Sequence, residues 1–182
     1  EDDGRRGVFS IAQDGRRVVK THTPADGFPI WQGVTVIAVY RHPLDVFFSL
    51  RKHVANTAEP DAGNPLSQPV ETALLSYLND RADLDNFDRD NLSILAMHYA
   101  QTVLSGRLRD LRLFHYADMV QDGRRAVQLL ANAASIDADD RLIDKVAEAT
   151  AFGAMKAKAA DYAPAGGTGL WKSDKRFFDS AS

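Results

Sequence analysis

The chain has 182 residues, 45% of them hydrophobic and 26% charged, a composition that suits one soluble globular domain able to bury its own core. It contains no cysteine, which excludes disulfides, thiolate metal sites and cysteine nucleophiles. Twenty-two Lys and Arg against 25 Asp and Glu leave a net charge of -3, so no overall field draws it to nucleic acid or a membrane surface. No apolar run approaches the roughly 20 residues of a membrane span, and the opening EDDGRRG lacks the pattern of a signal peptide. A cytoplasmic single domain over 1–182 is expected, with any anion site a local feature.

In chain order, VFSIAQ, the turn Asp14-Gly15 and RRVVK read as a hairpin. Its second arm ends in Lys20-Thr21-His22-Thr23-Pro24, where proline stops the strand. Gly33–Tyr40 is a nearly continuous β-branched run, the pattern of a central parallel strand covered on both faces. It leads into Arg41-His42-Pro43-Leu44-Asp45, with proline placed for a first helical position and aspartate for the positive end of the dipole. This helix is expected to reach about Asn56. Thr57–Pro69 is a loop, either a lid or a plain connection.

Helices are expected over Val70–Asn79 and Leu92–Ser105, the second ended by Gly106 and the two separated by an acidic stretch read as solvated. Leu111–Tyr116 reads as a second buried strand, followed by helices near Arg124–Ala134 and over Asp140–Thr150, then a short helix or turn at Phe152–Ala160. The Gly-rich tail from Pro164 onward is expected to be poorly ordered. Strands alternating with helices imply an α/β fold of three layers, a mostly parallel sheet flanked by helices. Ligands in such sheets bind where strands end and helices begin. That singles out Lys20–His22, Arg41–Asp45 and Tyr116–Asp118.

Arg41 carries a guanidinium fork suited to a phosphate or sulfate. Arg41, Asp45 and Ser49 follow at i, i+4, i+8, which places them along one side of the helix. Two readings stand side by side. In one, Arg41 and the Ser49 hydroxyl hold an anion; in the other, Arg41 pairs with Asp45 and Ser49 bonds a carbonyl one turn back. Lys20 and His22 share a strand face, a cation to neutralise a leaving group beside an imidazole to take a proton. Taken alone, such a pair reads more simply as a solvated strand end.

KTHTP, the strand ending YRHPLDVFFS, LRLFHYADM and TAFGAMK together resemble, in content and order, the sulfotransferase family that uses 3'-phosphoadenosine-5'-phosphosulfate. The resemblance spans about Val18 to Phe178, and RHPLDVFFS is its most specific block. It implies a P-loop NTPase-like sulfotransferase fold, with His22 as general base and Lys20 as electrostatic stabiliser. It likewise implies Arg41 and Ser49 as ligands of the 3'-phosphate, and Tyr116, Thr150, Phe152 and Met155 around the adenine. The implied product nucleotide is 3',5'-bisphosphoadenosine, no metal is called for, and the partner is a small-molecule acceptor hydroxyl or amine. A homodimer is left open, and no nucleic acid or membrane span is expected.

Two departures accompany the resemblance. The family's lysine-bearing loop of the type P-K-S-G-T-T-W, which grips the 5'-phosphosulfate, has no match in 1–182, so an N-terminal portion upstream of Glu1 is expected to carry it. The family's late Arg-Lys-Gly aligns loosely with Asp179-Ser180-Ala181, where Asp179 would repel a phosphate. GGTGLWKS is not a Walker loop, because Trp171 stands where glycine is required; it reads as a flexible segment. His42, His53, His98 and His115 lack metal-ligand spacing and read as structural, with His53 and His98 the two that could face an acceptor. The rival readings are a P-loop-type small-molecule kinase and a non-catalytic nucleotide-binding module of the same fold.

Overall fold

A computed structural model describes residues 15–61, 63–82 and 91–178. Two strands, β1 (Val36–Tyr40) and β2 (Leu111–His115), pair in parallel with Val36 opposite Leu111 and Tyr40 opposite His115. The Asp110 carboxylate accepts from Thr35 Oγ1 at 2.6 Å, and its carbonyl accepts from Val36 N at 2.9 Å. These two bonds hold the strand starts level. Parallel strands need a long crossover. Here it contains α1 (Pro43–Asn56), α2 (Val70–Asn79) and α3 (Leu92–Tyr99), with a one-turn 3-10 helix at Pro65–Ser67. After β2 come α4 (Tyr116–Gln121), α5 (Gly123–Ala133), α6 (Asp140–Thr150), α7 (Phe152–Ala157), α8 (Ala159–Tyr162) and α9 (Asp174–Phe177). The result is an α/β arrangement, a small parallel sheet flanked by helices.

The helix boundaries follow from their caps. His42 Nδ1 accepts from Leu44 N at 3.3 Å, Pro43 opens α1, and Asp45 sits in its first turn. Asn91, Asp122 and Asp139 cap α3, α5 and α6 through their side-chain oxygens. Gly106, at φ +69, turns the chain from α3 toward β2 in a conformation that glycine adopts without strain. The helix expected over Leu92–Ser105 differs in one respect: after Tyr99 it widens into a π-helical turn over Ala100–Leu104.

The core between α1, α2 and α3 is built on Phe47, Ala73 and Tyr77, with Leu66, Leu74, Leu92 and Leu95 packed against it. Phe47 is fully buried, its ring 5.1 Å from that of Tyr77. The Tyr77 hydroxyl donates to Pro43 O at 2.9 Å. Arg51 donates to the carbonyls of Leu66 and Gln68, both at 2.7 Å, and so fixes the end of the loop after α1.

Three expectations need correction. The first hairpin arm lies outside the described residues, and the second, Arg16–Lys20, is not a strand, since no strand pairs with it among the described residues. Coverage of both sheet faces is not met either. Val39 and Leu113 remain 48% and 49% exposed, so the described helices do not fully cover either face of the sheet.

The third correction concerns the tail, where residues 164–178 pack back onto α1. Ala58 N donates to Leu170 O (2.9 Å) and Lys172 N to Asn56 O (2.7 Å). The Asn56 side chain, 1% exposed, donates to Ser173 O (2.9 Å) and accepts from Ser173 N (3.2 Å). Apolar burial accounts for the rest: Phe178 joins Ala159 and Ala163 in a second core, with Met155, Trp171 and Phe177 against it. Gly166 is required by the fold-back, as a Cβ there would fall 2.3 Å from Ala160 O.

Asn56 therefore satisfies both backbone groups of Ser173. Asn56→Ala should lower the unfolding free energy of the full-length protein by about 1 to 3 kcal/mol, the cost of losing two hydrogen bonds to the half-buried backbone of Ser173. Urea titration reads this, with faster proteolysis in 164–178 as its companion. A loss below about 1 kcal/mol would mean that water replaces the side chain there.

Candidate functional site

The parallel register brings the ends of β1 and β2 side by side, so the residues that follow them, Arg41 and Tyr116, are neighbours. The guanidinium carbon of Arg41 lies 4.7 Å from the centre of the Tyr116 ring, a cation–π contact. Arg41 Nε is buried and makes no hydrogen bond. Its nearest carboxylate oxygen, on Asp45, is 3.9 Å away, too long to satisfy an N–H. Ser49, half-buried two turns along α1, makes no bond to a carbonyl one turn back among the described residues. The closed reading of this face is thus half met: Arg41 forms a long ion pair with Asp45 that leaves its Nε–H without a hydrogen bond, and Ser49 does not bond back to its helix among the described residues.

Lys20 and His22 are exposed in a segment without regular structure. Thr21 Oγ1 accepts from Thr23 N at 2.9 Å, a local turn that substitutes for the expected strand end. The chain is then anchored by Ala25, fully buried, whose N–H donates to Thr102 Oγ1 at 3.3 Å. His22 lies within electrostatic reach of His98 on α3. His98 Nδ1 is 2.9 Å from the Tyr40 hydroxyl, and Tyr40 immediately precedes Arg41. His22 thus bears on His98 through charge, and no described contact joins it to Arg41 or Ser49.

The α6–α7 corner is less tightly connected. Thr150 is exposed and its hydroxyl donates back to Val146 O at 2.8 Å. Phe152 is 48% exposed, with Lys156 Nζ 5.9 Å from its ring centre. Met155 packs against the second core, which contains Trp171 and Phe177. Those two rings stand edge-on to His53 of α1, at 5.9 and 4.5 Å. Met155 therefore reaches α1 through an aromatic cluster, whereas Thr150 and Phe152 make no described contact with Arg41 or Ser49.

Burial lowers the pKa of His53, and the nearby Arg41 charge lowers it further. Burial also lowers that of His98, helped by His22 and opposed by Asp26. Burial raises the Tyr40 pKa, with Thr102 acting against it and Tyr99 with it. His53, His98, Tyr40 and Thr102 extend the candidate set. No sequence pattern pointed to Thr102 or Tyr40, because each contact crosses between elements far apart in the chain.

Both histidines bind a proton less readily in the folded chain than at their ordinary value of 6.5. As the pH falls through 6.5, the unfolded state takes up protons first, so stability present above that value is lost. The unfolding midpoint should therefore drop between pH 7.5 and about 5.5, and His53→Phe, which keeps a ring between Trp171 and Phe177, should flatten the slope. An unchanged slope in that variant would remove His53 from the account.

The chain matches the family described as "Sulfotransferase domain" over residues 3–182. It is 30% identical over 195 aligned residues to a protein named glycolipid sulfotransferase from Mycobacterium bovis, covering 92% of this chain and 59% of that protein. A Mycobacterium tuberculosis protein of the same name is 29% identical over 194, with the same coverage. The chain thus spans under two-thirds of the length of these relatives. The match, extending over nearly every residue and including both strand ends, places the chain in the sulfotransferase family.

Proposed function

We propose that the protein transfers a sulfuryl group from 3'-phosphoadenosine-5'-phosphosulfate to an acceptor hydroxyl, on a P-loop NTPase-like sulfotransferase fold in the cytoplasm. The observation that carries this reading is Arg41 Nε, a buried charged donor with no hydrogen bond and only a long ion pair to Asp45, while the half-buried Ser49 hydroxyl further along α1 makes no described hydrogen bond. A buried polar group in that condition calls for an explanation, and an anion supplies one. The donor set fits the nucleotide's 3'-phosphate: a planar guanidinium and a hydroxyl, with the Tyr116 ring against the guanidinium.

When bound, the donor nucleotide supplies an activated sulfuryl group and a stable bisphosphate leaving group, so sulfuryl transfer needs chiefly positioning and charge stabilisation. His22 takes the proton of the acceptor hydroxyl as its oxygen attacks sulfur. Lys20 offsets the negative charge that grows on the departing side. Arg41 and Ser49 fix the nucleotide through its 3'-phosphate, and Tyr116, Thr150, Phe152 and Met155 border its base. No residue role here requires a metal. The relatives' shared name supports a glycolipid hydroxyl as the acceptor class.

His22→Ala in the full-length protein should cut turnover at least about 100-fold, measured with labelled donor, while leaving nucleotide affinity within about threefold. Retained turnover would remove His22 as base. Arg41→Ala should weaken 3',5'-bisphosphoadenosine by about 10- to 100-fold, the loss of one charge-assisted bond, and adenosine 5'-monophosphate far less. Equal losses for the two nucleotides would place Arg41 elsewhere.

A further inference from the structure

One side-chain line in the molecule has no part in the mechanism above. The π-helical turn after α3 buries Thr102, 4% exposed, beneath the segment that follows His22. A buried hydroxyl costs free energy unless its bonds are made, and valine would fill the same volume. Thr102 Oγ1 accepts from Ala25 N at 3.3 Å, and its hydroxyl is near enough to Tyr40 to act on that phenol's pKa. Tyr40 in turn is 2.9 Å from His98 Nδ1 and packs edge-on against Tyr99 at 5.1 Å. His98 and Thr102 stand one helical turn apart, so the Tyr40 hydroxyl is held between them. Turns of π-helix occur frequently at functional sites.

The line has a direction. A backbone N–H can only donate, so Ala25 makes Thr102 an acceptor there. The Thr102 hydrogen is not used in that bond, and the hydroxyl acts to lower the Tyr40 pKa, against the effect of burial. Burial favours the protonated phenol, so the Tyr40 hydroxyl has a proton to donate to His98 Nδ1, 2.9 Å away. An imidazole that accepts at Nδ1 is neutral and carries its hydrogen on Nε2. Burial and the neighbouring His22 both favour the neutral ring. The titratable groups bearing on His98 are His22, Asp26 and Tyr40, and Tyr40 is also influenced by Tyr99. His98 Nε2 makes no hydrogen bond among the described residues.

We infer that Thr102 and Tyr40 are positioning residues that lock the His22 segment to α3 and orient His98 as an Nε2–H donor toward the acceptor side of His22. This rests on the reading of His22 as general base. Fixing that segment lowers the entropy lost in aligning base and acceptor, and one donor beside the base orients the incoming hydroxyl.

The test uses the full-length protein and two independent readouts. In 15N-labelled protein, side-chain histidine spectra should show His98 as the Nε2–H tautomer, and Tyr40→Phe should convert it to a mixture. An Nδ1–H tautomer in the unsubstituted protein overturns the line, whatever the turnover. For kinetics, Thr102→Val should lower kcat at least 10-fold across the pH profile, with the donor KM within twofold, and Thr102→Ser should restore kcat to within threefold. A kcat within twofold of the parent in Thr102→Val overturns the positioning role, since a merely structural hydroxyl would lower the melting temperature alone. If the unsubstituted protein turns over but His22→Ala turns over equally, the base reading fails, and the catalytic half of this inference fails with it. The tautomer result then decides the hydrogen-bonded line by itself.

Discussion

The parallel pairing of β1 with β2 is the constraint on which the rest depends. It is held level by Asp110, which engages Thr35 through its carboxylate and Val36 through its carbonyl. Because the side-chain alternation of a strand has period two, a slip of one residue would turn each side chain to the opposite face. Ala38, nearly buried, would exchange places with Val39. More consequentially, Tyr40 would no longer face His98 and Thr102, and Arg41 would leave the strand end on the wrong side of Tyr116. One register thus determines both the pair of cationic and aromatic groups at the helix starts and the hydroxyl line beneath them.

A second constraint acts on the other end of α1. Residues 170–173 hydrogen-bond to Asn56 and Ala58, which draws Trp171 and Phe177 over His53. That cover lowers the dielectric around the α1 face on which Ser49 and His53 lie. A neutral histidine there adds no second positive charge to compete with Arg41. The chain's net charge is -3, so this local cationic character comes from placement and not from composition. Exposed charges elsewhere, such as Arg124 bridging Asp140 and Asp144, are compensated within the surface.

Much of this was legible in the sequence. α1, α2 and α6 are bounded by local chemistry: a proline and aspartate at the start of α1, hydrophobic periodicity, and an aspartate cap before α6. Those signals act within a turn or two and do not depend on distant partners. Asp45 and Ser49 fall within α1 as their spacing suggested, but Arg41 precedes the cap residue His42 and stands outside the helix. The arm at Arg16–Lys20 misled because strand formation needs a partner that alternation alone cannot supply. The tail misled for the opposite reason. Its glycines signal flexibility, yet Gly166 permits the close approach that lets Trp171, Phe177 and Phe178 bury their rings. Aromatic payload outweighed glycine entropy, and only three-dimensional packing reveals the balance.

The candidate site runs against the general preference for satisfied polar atoms, and this contrast gives it meaning. An arginine whose Nε is buried without a hydrogen bond costs the fold about 1 to 3 kcal/mol or more, in a domain whose whole margin is of order 10 kcal/mol. Asp45 pairs with it at 3.9 Å from a side chain 56% exposed, an ion pair too long to satisfy the N–H. The chain instead holds the guanidinium against the Tyr116 face, which fixes its plane while leaving its donors open. Cation–π attraction orients a charge without occupying its hydrogens, whereas a carboxylate would occupy them. By contrast the buried Thr102 hydroxyl accepts from Ala25 N and the Tyr40 hydroxyl is bonded to His98 Nδ1. Open donors in one place and bonded hydroxyls elsewhere are what a preorganised site requires: strain is concentrated where an anion would relieve it, and the supporting scaffold is saturated.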